Sequence, residues 1–205
     1  VRRLVGSEMC IRDSIYIIGG EPTINNEFKV FLQYCVDNNY AKDIELRFNT
    51  NGQNEDNELK ELYKSFKHVL VHLSMDGIEQ RYEYIRYPGT WDKQLNVLNY
   101  WDNMPDNVTV DIDCTVQALN VLHLPKFIKW KMQQGFNKLN IKRFAGTIGM
   151  HLLWTPNFLQ INNLPYEIKQ QAINDLLELK EYLGPIKMEK YKKIDAVINL
   201  SLIHI

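Results

Sequence analysis

Residues 15–23 read IYIIGGEPT, and the parsing of that stretch decides the fold. Ile15 to Ile18 are apolar or aromatic and run as a buried strand into Gly19-Gly20, a carboxylate at Glu21, then Pro22. Two adjacent glycines permit positive φ and a close backbone approach to a ligand, and Pro22 stiffens the exit. Glu21 is therefore expected to be held in place at the carboxyl end of a strand. Taken alone the motif is weak, because Gly-Gly turns are common and a following carboxylate is usually just solvated.

Working outward, the hydrophobic period alternates strictly between strand-like and helix-like. A strand over 15–19 precedes a helix over 25–39 with Phe28, Phe31, Leu32, Cys35 and Val36 on one face. A second strand, 44–48, ends in Asn49-Thr50-Asn51-Gly52, and Asn57 is placed to cap a helix whose inner face is Leu59, Leu62, Tyr63 and Phe66. The third strand, 69–73, meets Ser74-Met75-Asp76-Gly77, an irregular region around Arg86, Pro88 and Gly89, and a helix over 92–101. A fourth strand over 108–116, a helix over 125–134 ended by Gly135, and a fifth strand over 139–144 follow. Beyond Gly146 the pattern breaks: 151–165 is loop-like, and 166–183 is an amphipathic helix stopped by Gly184-Pro185.

This is the signature of an α/β fold built from parallel βα units, and periodicity does not separate an incomplete barrel from a doubly wound sheet. Each ligand-facing motif falls just after a strand, where parallel α/β folds carry their sites.

The 205-residue chain is 45% hydrophobic and 11% aromatic, enough for a sizeable core, with a formal net charge of −1. No uninterrupted apolar run reaches membrane-span length, and no block of like charge suggests a nucleic-acid footprint or a membrane surface. Lys126, Lys129 and Lys131 read as a solvated helix face. Cys35 and Cys114 lie in apolar surroundings without metal-ligand spacing, which makes a reduced, cytoplasmic protein the default. His68, His72, His123 and His151 form no pair at metal spacing, and His72 reads as a satisfied core histidine. Trp91 and Trp101 read as packing residues.

The two ends read as foreign. Residues 4–14, LVGSEMCIRDS, match one reading frame of a transposase adapter used in sequencing libraries, and 200–205, LSLIHI, match its reverse complement. The expected organisation is adapter over 1–14, an incomplete core over 15–146, the start of a C-terminal region over 147–199, and adapter over 200–205.

GGEP after the first strand, NTNG after the second and SMDG after the third resemble, in that order, the core of radical S-adenosylmethionine enzymes. The likeness is to the peptide-modifying group with a twitch or SPASM-like C-terminal region, and covers roughly 15–146. HLLWTPNFLQINNLP, 151–165, resembles the twitch-type extension.

The resemblance implies a partial (β/α) TIM-like barrel that lacks its first βα unit. It also implies a [4Fe-4S] cluster on a C-x3-C-x2-C loop that binds S-adenosylmethionine, an electron donor such as flavodoxin or ferredoxin, and hydrogen abstraction by a 5′-deoxyadenosyl radical from a peptide or small-molecule substrate. Glu21 matches the acceptor for the methionyl ammonium, a charge-assisted contact, with Gly19, Gly20 and Pro22 completing that motif.

Ser74 and Asp76 match groups that reach the ribose or the methionyl end, and Asn49 or Asn51 supplies a polar group from the neighbouring tip. Arg86, in YIRYPGTWD, matches an arginine that engages the carboxylate, and Thr115, Val116 and Asn120 match a TVxxxN pattern that supports adenosine. Asn-Gly and Asp-Gly are also strong turn dipeptides with no ligand at all.

No C-x3-C-x2-C occurs in the chain. The expectation is that the cluster loop lay upstream of Ile15 and that this polypeptide is itself inactive. The alternatives are a cluster-less scaffold or binding module, and an unrelated α/β anion-binding domain.

Overall fold

A computed structural model describes residues 14–139, 148–184 and 192–202. Five parallel strands form one sheet: β1 (Ser14–Ile17), β2 (Glu45–Thr50), β3 (His68–Ser74), β4 (Val108–Val116) and β5 (Gly149–Leu152). Their spatial order is their chain order, β1-β2-β3-β4-β5. A doubly wound sheet reverses its order at a switch point, whereas sequential order with right-handed crossovers puts every helix on one face and curls the sheet as a half barrel. The topology therefore decides what periodicity left open, and the barrel is not complete.

The two faces of the sheet differ in chemistry. Leu46, Phe48, Val69, Val71, Leu73, Val110, Ile112 and Cys114 point to one side and are buried at 4% exposure or less. Helices α1 (Asn26–Asp37) and α2 (Asn57–Tyr63) cover part of that side, with the Phe28 and Tyr63 rings packed on Phe48 at 5.3 and 5.7 Å between centroids. The alternate positions carry Arg47 and Asn49 on β2, His72 and Ser74 on β3, and Asp111, Asp113 and Thr115 on β4. Parallel sheets normally bury apolar residues on both faces, so a polar second face marks a surface that handles polar groups.

Local chemistry sets the helix ends, not always as the sequence suggests. Asn25 caps α1 through its side chain, but Asp56, not Asn57, caps α2 by accepting from Glu58 N and Leu59 N. The region after SMDG, expected to be irregular, contains α3 (Glu79–Ile85), which buries only Tyr82 and so shows little amphipathic period. Helix α4 spans Trp91–Asp102 and α5 Leu124–Gln133. Trp101 is 1% exposed, and Trp91 packs between Tyr82 and Trp130, as packing residues would.

The strand expected over 139–144 falls almost wholly outside the described residues. The 151–165 stretch is not all loop: His151 and Leu152 end β5, and two short 3-10 turns follow at Asn157–Leu159 and Ile161–Asn163. α6 (Tyr166–Leu183) stops at Gly184, whose φ is 71°. A further helix, α7 (Lys192–Leu202), was not anticipated, although Ile194, Val197 and Ile198 recur at helical spacing, and it seats those three in the core. It continues past position 199, and Ser14 opens β1 opposite Glu45, so residues assigned to both adapter ends take part in regular structure.

Lys131 overturns the solvated-face reading of α5. It is 2% exposed, and burial pushes its ammonium down to about 8 although Asp111 and Asp102 favour its charge. Lys126 does reach solvent, paired with Glu79, and Lys129 lies over the Tyr182 ring.

Candidate functional site at the strand tips

The turns after β1, β2, β3 and β4 meet at one rim. Gly19 and Gly20 both adopt positive φ, 97° and 60°, which swings the chain so that Glu21 returns toward β2. Its Oε1 accepts from Thr23 N, from the Thr23 hydroxyl at 2.7 Å and from the Thr50 hydroxyl at 2.5 Å. Oε2 accepts from Asn51 N at 2.7 Å. One carboxylate thus staples the GGEP turn to the NTNG turn, and Pro22 is buried beneath it.

Gly52 shows why NTNG ends in glycine. Its φ is 73°, and a Cβ there would collide with the Leu73 side chain and crowd Trp101 and Val97. The two asparagines part company. Asn49 stays on the polar sheet face, accepting from the Tyr16 hydroxyl at 2.9 Å. Asn51 turns to a cavity of about 600 Å³ and holds Gln53 N through its own Oδ1.

Asp76 is a buried clamp, 4% exposed. Oδ1 accepts from Thr115 N at 2.7 Å, tying the tip of β3 to that of β4, and Oδ2 lies 2.7 Å from Arg86 Nε. Asn120 completes the joint by donating to Asp76 O and Thr115 O while accepting from Gln117 N. Val116 is buried, and its carbonyl is taken by Leu153 N. Asp76, Asn120 and Val116 therefore spend their polar groups on the chain itself.

Ser74 and Arg86 line the same cavity as Asn51. Its far wall is the Tyr87–Thr90 loop, with Lys93 of α4 alongside. Of the residues singled out from sequence, Asn51, Ser74 and Arg86 converge there. Glu21 joins through Asn51 N, and Asp76 through Arg86.

No protein-family model matches the sequence, and no curated protein matches it. Among solved structures the chain is similar to Streptococcus suis SuiB, crystallised bound to S-adenosylmethionine, at 14% identity and a TM-score of 0.44. That likeness covers 74% of this chain and 41% of the SuiB chain. It is too distant to carry a functional argument, and the site rests on its own geometry.

Sequence reasoning missed the polar network behind the cavity. The Tyr82 hydroxyl donates to Gln94 Oε1 at 2.7 Å, and Gln53 Nε2 donates to both Gln94 Oε1 and Tyr82 Oη. Gln94 is 0% exposed, and burial drives the Tyr82 phenol up to about 12, with Arg86 and Gln53 opposing. The one available signal was a glutamine on the apolar stripe of α4, next to Val97 and Leu98.

The described residues hold no group of three His, Cys, Asp or Glu able to bind a metal. Cys35 and Cys114 are buried thiols on α1 and β4, and burial raises both above the usual thiol range. No helix among the described residues is long and apolar enough to cross a membrane.

Proposed function

We propose that this rim binds S-adenosylmethionine and that the chain is part of a radical S-adenosylmethionine enzyme acting on a peptide or small metabolite. The observation that supports the reading is that direct hydrogen bonds join the strand tips in two pairs, GGEP to NTNG and SMDG to the end of β4, and that Asn51, Ser74 and Arg86 line one cavity between them. In this reading Arg86, oriented by Asp76, takes the methionyl carboxylate through the guanidinium nitrogens that Asp76 leaves over. Glu21 Oε2, with a single acceptor contact, faces the ammonium; Asn51 and Ser74 serve the polar groups between. Gly19, Gly20 and Pro22 shape the turn, and Thr115 and Val116 flank the adenosine.

The described residues do not fit a [4Fe-4S] cluster, since they hold no group of three His, Cys, Asp or Glu able to ligate it. The cluster cysteines, the flavodoxin- or ferredoxin-type donor, the cytoplasmic location and the twitch-like nature of 147–199 belong to the proposal for the whole enzyme.

Equilibrium dialysis against S-adenosylmethionine tests the reading. Saturable binding is expected, weakened about tenfold, or about 1.4 kcal/mol, by Arg86→Gln, and not displaced by inorganic phosphate. Absence of binding by the unmodified chain refutes it, and displacement by phosphate favours an α/β anion-binding domain. A second reading, a cluster-less binding module, draws on the engagement of both oxygens of Glu21 and of Asp76 by the chain's own groups. Three cysteines at C-x3-C-x2-C spacing in the uninterrupted gene would decide for the enzyme.

A further inference from the structure

Three ionisable side chains outside the strand-tip site converge on the polar face of the sheet, one from each of β3, β4 and β5. Asp113 Oδ2 lies 3.0 Å from His72 Nδ1 and 3.1 Å from His151 Nε2. The Asp113 side chain is 11% exposed, His72 15% and His151 60%. Register brings them together: Asp113 pairs with Ser74, two residues beyond His72, and with Gly149, two residues before His151. Period-two alternation then projects all three to one side.

His72 Nδ1 is buried beside Oδ2 without a hydrogen bond to it, whereas His151 Nε2 makes one, and an ionised carboxylate only accepts. His151 is then the Nε2–H tautomer. This leaves a lone pair on His151 Nδ1, on an exposed ring, with no protein partner among the described residues.

We propose that His72, Asp113 and His151 form a proton-accepting site in which His151 Nδ1 is the base toward a hydroxyl or amine of a substrate lying on this face. The X–H bond breaks with its electron pair left on X, an N–H bond forms at Nδ1, and the resulting imidazolium is balanced by Asp113. Exposure lets His151 return the proton to water. Asp113 is the orienting group, and His72, contacting the same oxygen from the other side, is a positioning residue. Burial works against the charge of Asp113, but the contacts of both imidazoles outweigh it and hold its pKa below the usual carboxylate range. Among the described residues, Asp111, opposite His72 in register, and His68, 3.0 Å from the Thr109 hydroxyl, are further titratable groups on this part of the face. The site does not depend on nucleotide binding at the rim.

Long-range 1H–15N ring correlations on the labelled full chain, followed across pH, test the arrangement. Neutral His151 is expected as the Nε2–H tautomer, and Asp113→Asn, whose amide oxygen is a weaker acceptor, is expected to raise the share of the Nδ1–H form. An Nδ1–H tautomer in the unmodified chain overturns the proposal by itself, even where Asp113→Asn fails to fold. A tautomer share unmoved in a folded Asp113→Asn also overturns it. The second readout is opening of 5-nitrobenzisoxazole, which proceeds on loss of one proton to a base. The unmodified chain should exceed an equal concentration of free imidazole, with at least a tenfold loss in His151→Gln and a shifted pH profile in His72→Gln. A rate no higher than free imidazole, or unchanged in His151→Gln, overturns the proposal.

Discussion

Glu21 and Asp76 are both carboxylates just past a parallel strand, yet the rim uses them differently. Glu21 is partly open and takes four donors from two neighbouring turns, with one oxygen carrying three of them. Asp76 is buried, with one oxygen on a backbone N–H and the other on a guanidinium. The first joins loops that water still reaches, whereas the second sits where an unpaired charge is costly. A strand-tip carboxylate can thus be a clamp first, and the groups it positions, Asn51 and Arg86, are the ones that face the cavity.

The contrast is most severely tested at Asp76. Asp76→Ala strands the Arg86 guanidinium and Thr115 N, and should cost about 3–5 kcal/mol in urea unfolding. A loss under about 1 kcal/mol would break the distinction between the two halves of the rim.

Asp102 sharpens it with a third carboxylate of the buried kind. It accepts from Asn137, Lys138 and Leu139 N at 2.8, 2.8 and 3.0 Å, so Asp102→Ala should cost about 2–3 kcal/mol by the same measurement. Glu21→Gln keeps the shape but turns an amide N–H toward Asn51 N. With solvent nearby, about 1–2 kcal/mol is expected, and a cost matching Asp76→Ala would erase the contrast.

The smallest effect concerns a histidine beside the β3 tip. His123 Nε2 accepts from Ile78 N, and burial, with Arg81 and Lys126, depresses its pKa to about 4. The unfolded chain binds this proton below about 6.5, so between pH 4 and 6.5 it holds more protons than the folded chain, and stability rises with pH. His123→Gln can still accept from Ile78 N and should flatten that part of the stability–pH curve. A slope identical to that of the unmodified chain would show that His123 adds nothing.

Much of the fold was legible because strands and long helices print their period on the sequence. β4 and α6 match their expected ranges, and β3 differs by one residue at each end. α3 was not legible, since seven residues burying one tyrosine carry almost no pattern. Neither was β5, because GMHL is too short and mixed to read as a strand until β4 offers it a partner. At the rim, the motifs singled out Ser74 and Arg86 and left Asn49 or Asn51 open, and beyond the glutamine on the α4 stripe nothing local indicated that Gln53, Tyr82 and Gln94 would form the wall behind them.

The sequence by itself determined the parallel βα character, the positive-φ turn at Gly19-Gly20 and the placement of polar groups after strands, because periodicity and glycine stereochemistry act over a few residues. Tertiary structure alone decided the sequential strand order, the partners of Glu21 and Asp76, and the meeting of His72, Asp113 and His151. Those depend on which strands lie side by side and in what register, and hydrogen bonds between residues 29 to 39 positions apart leave no local trace.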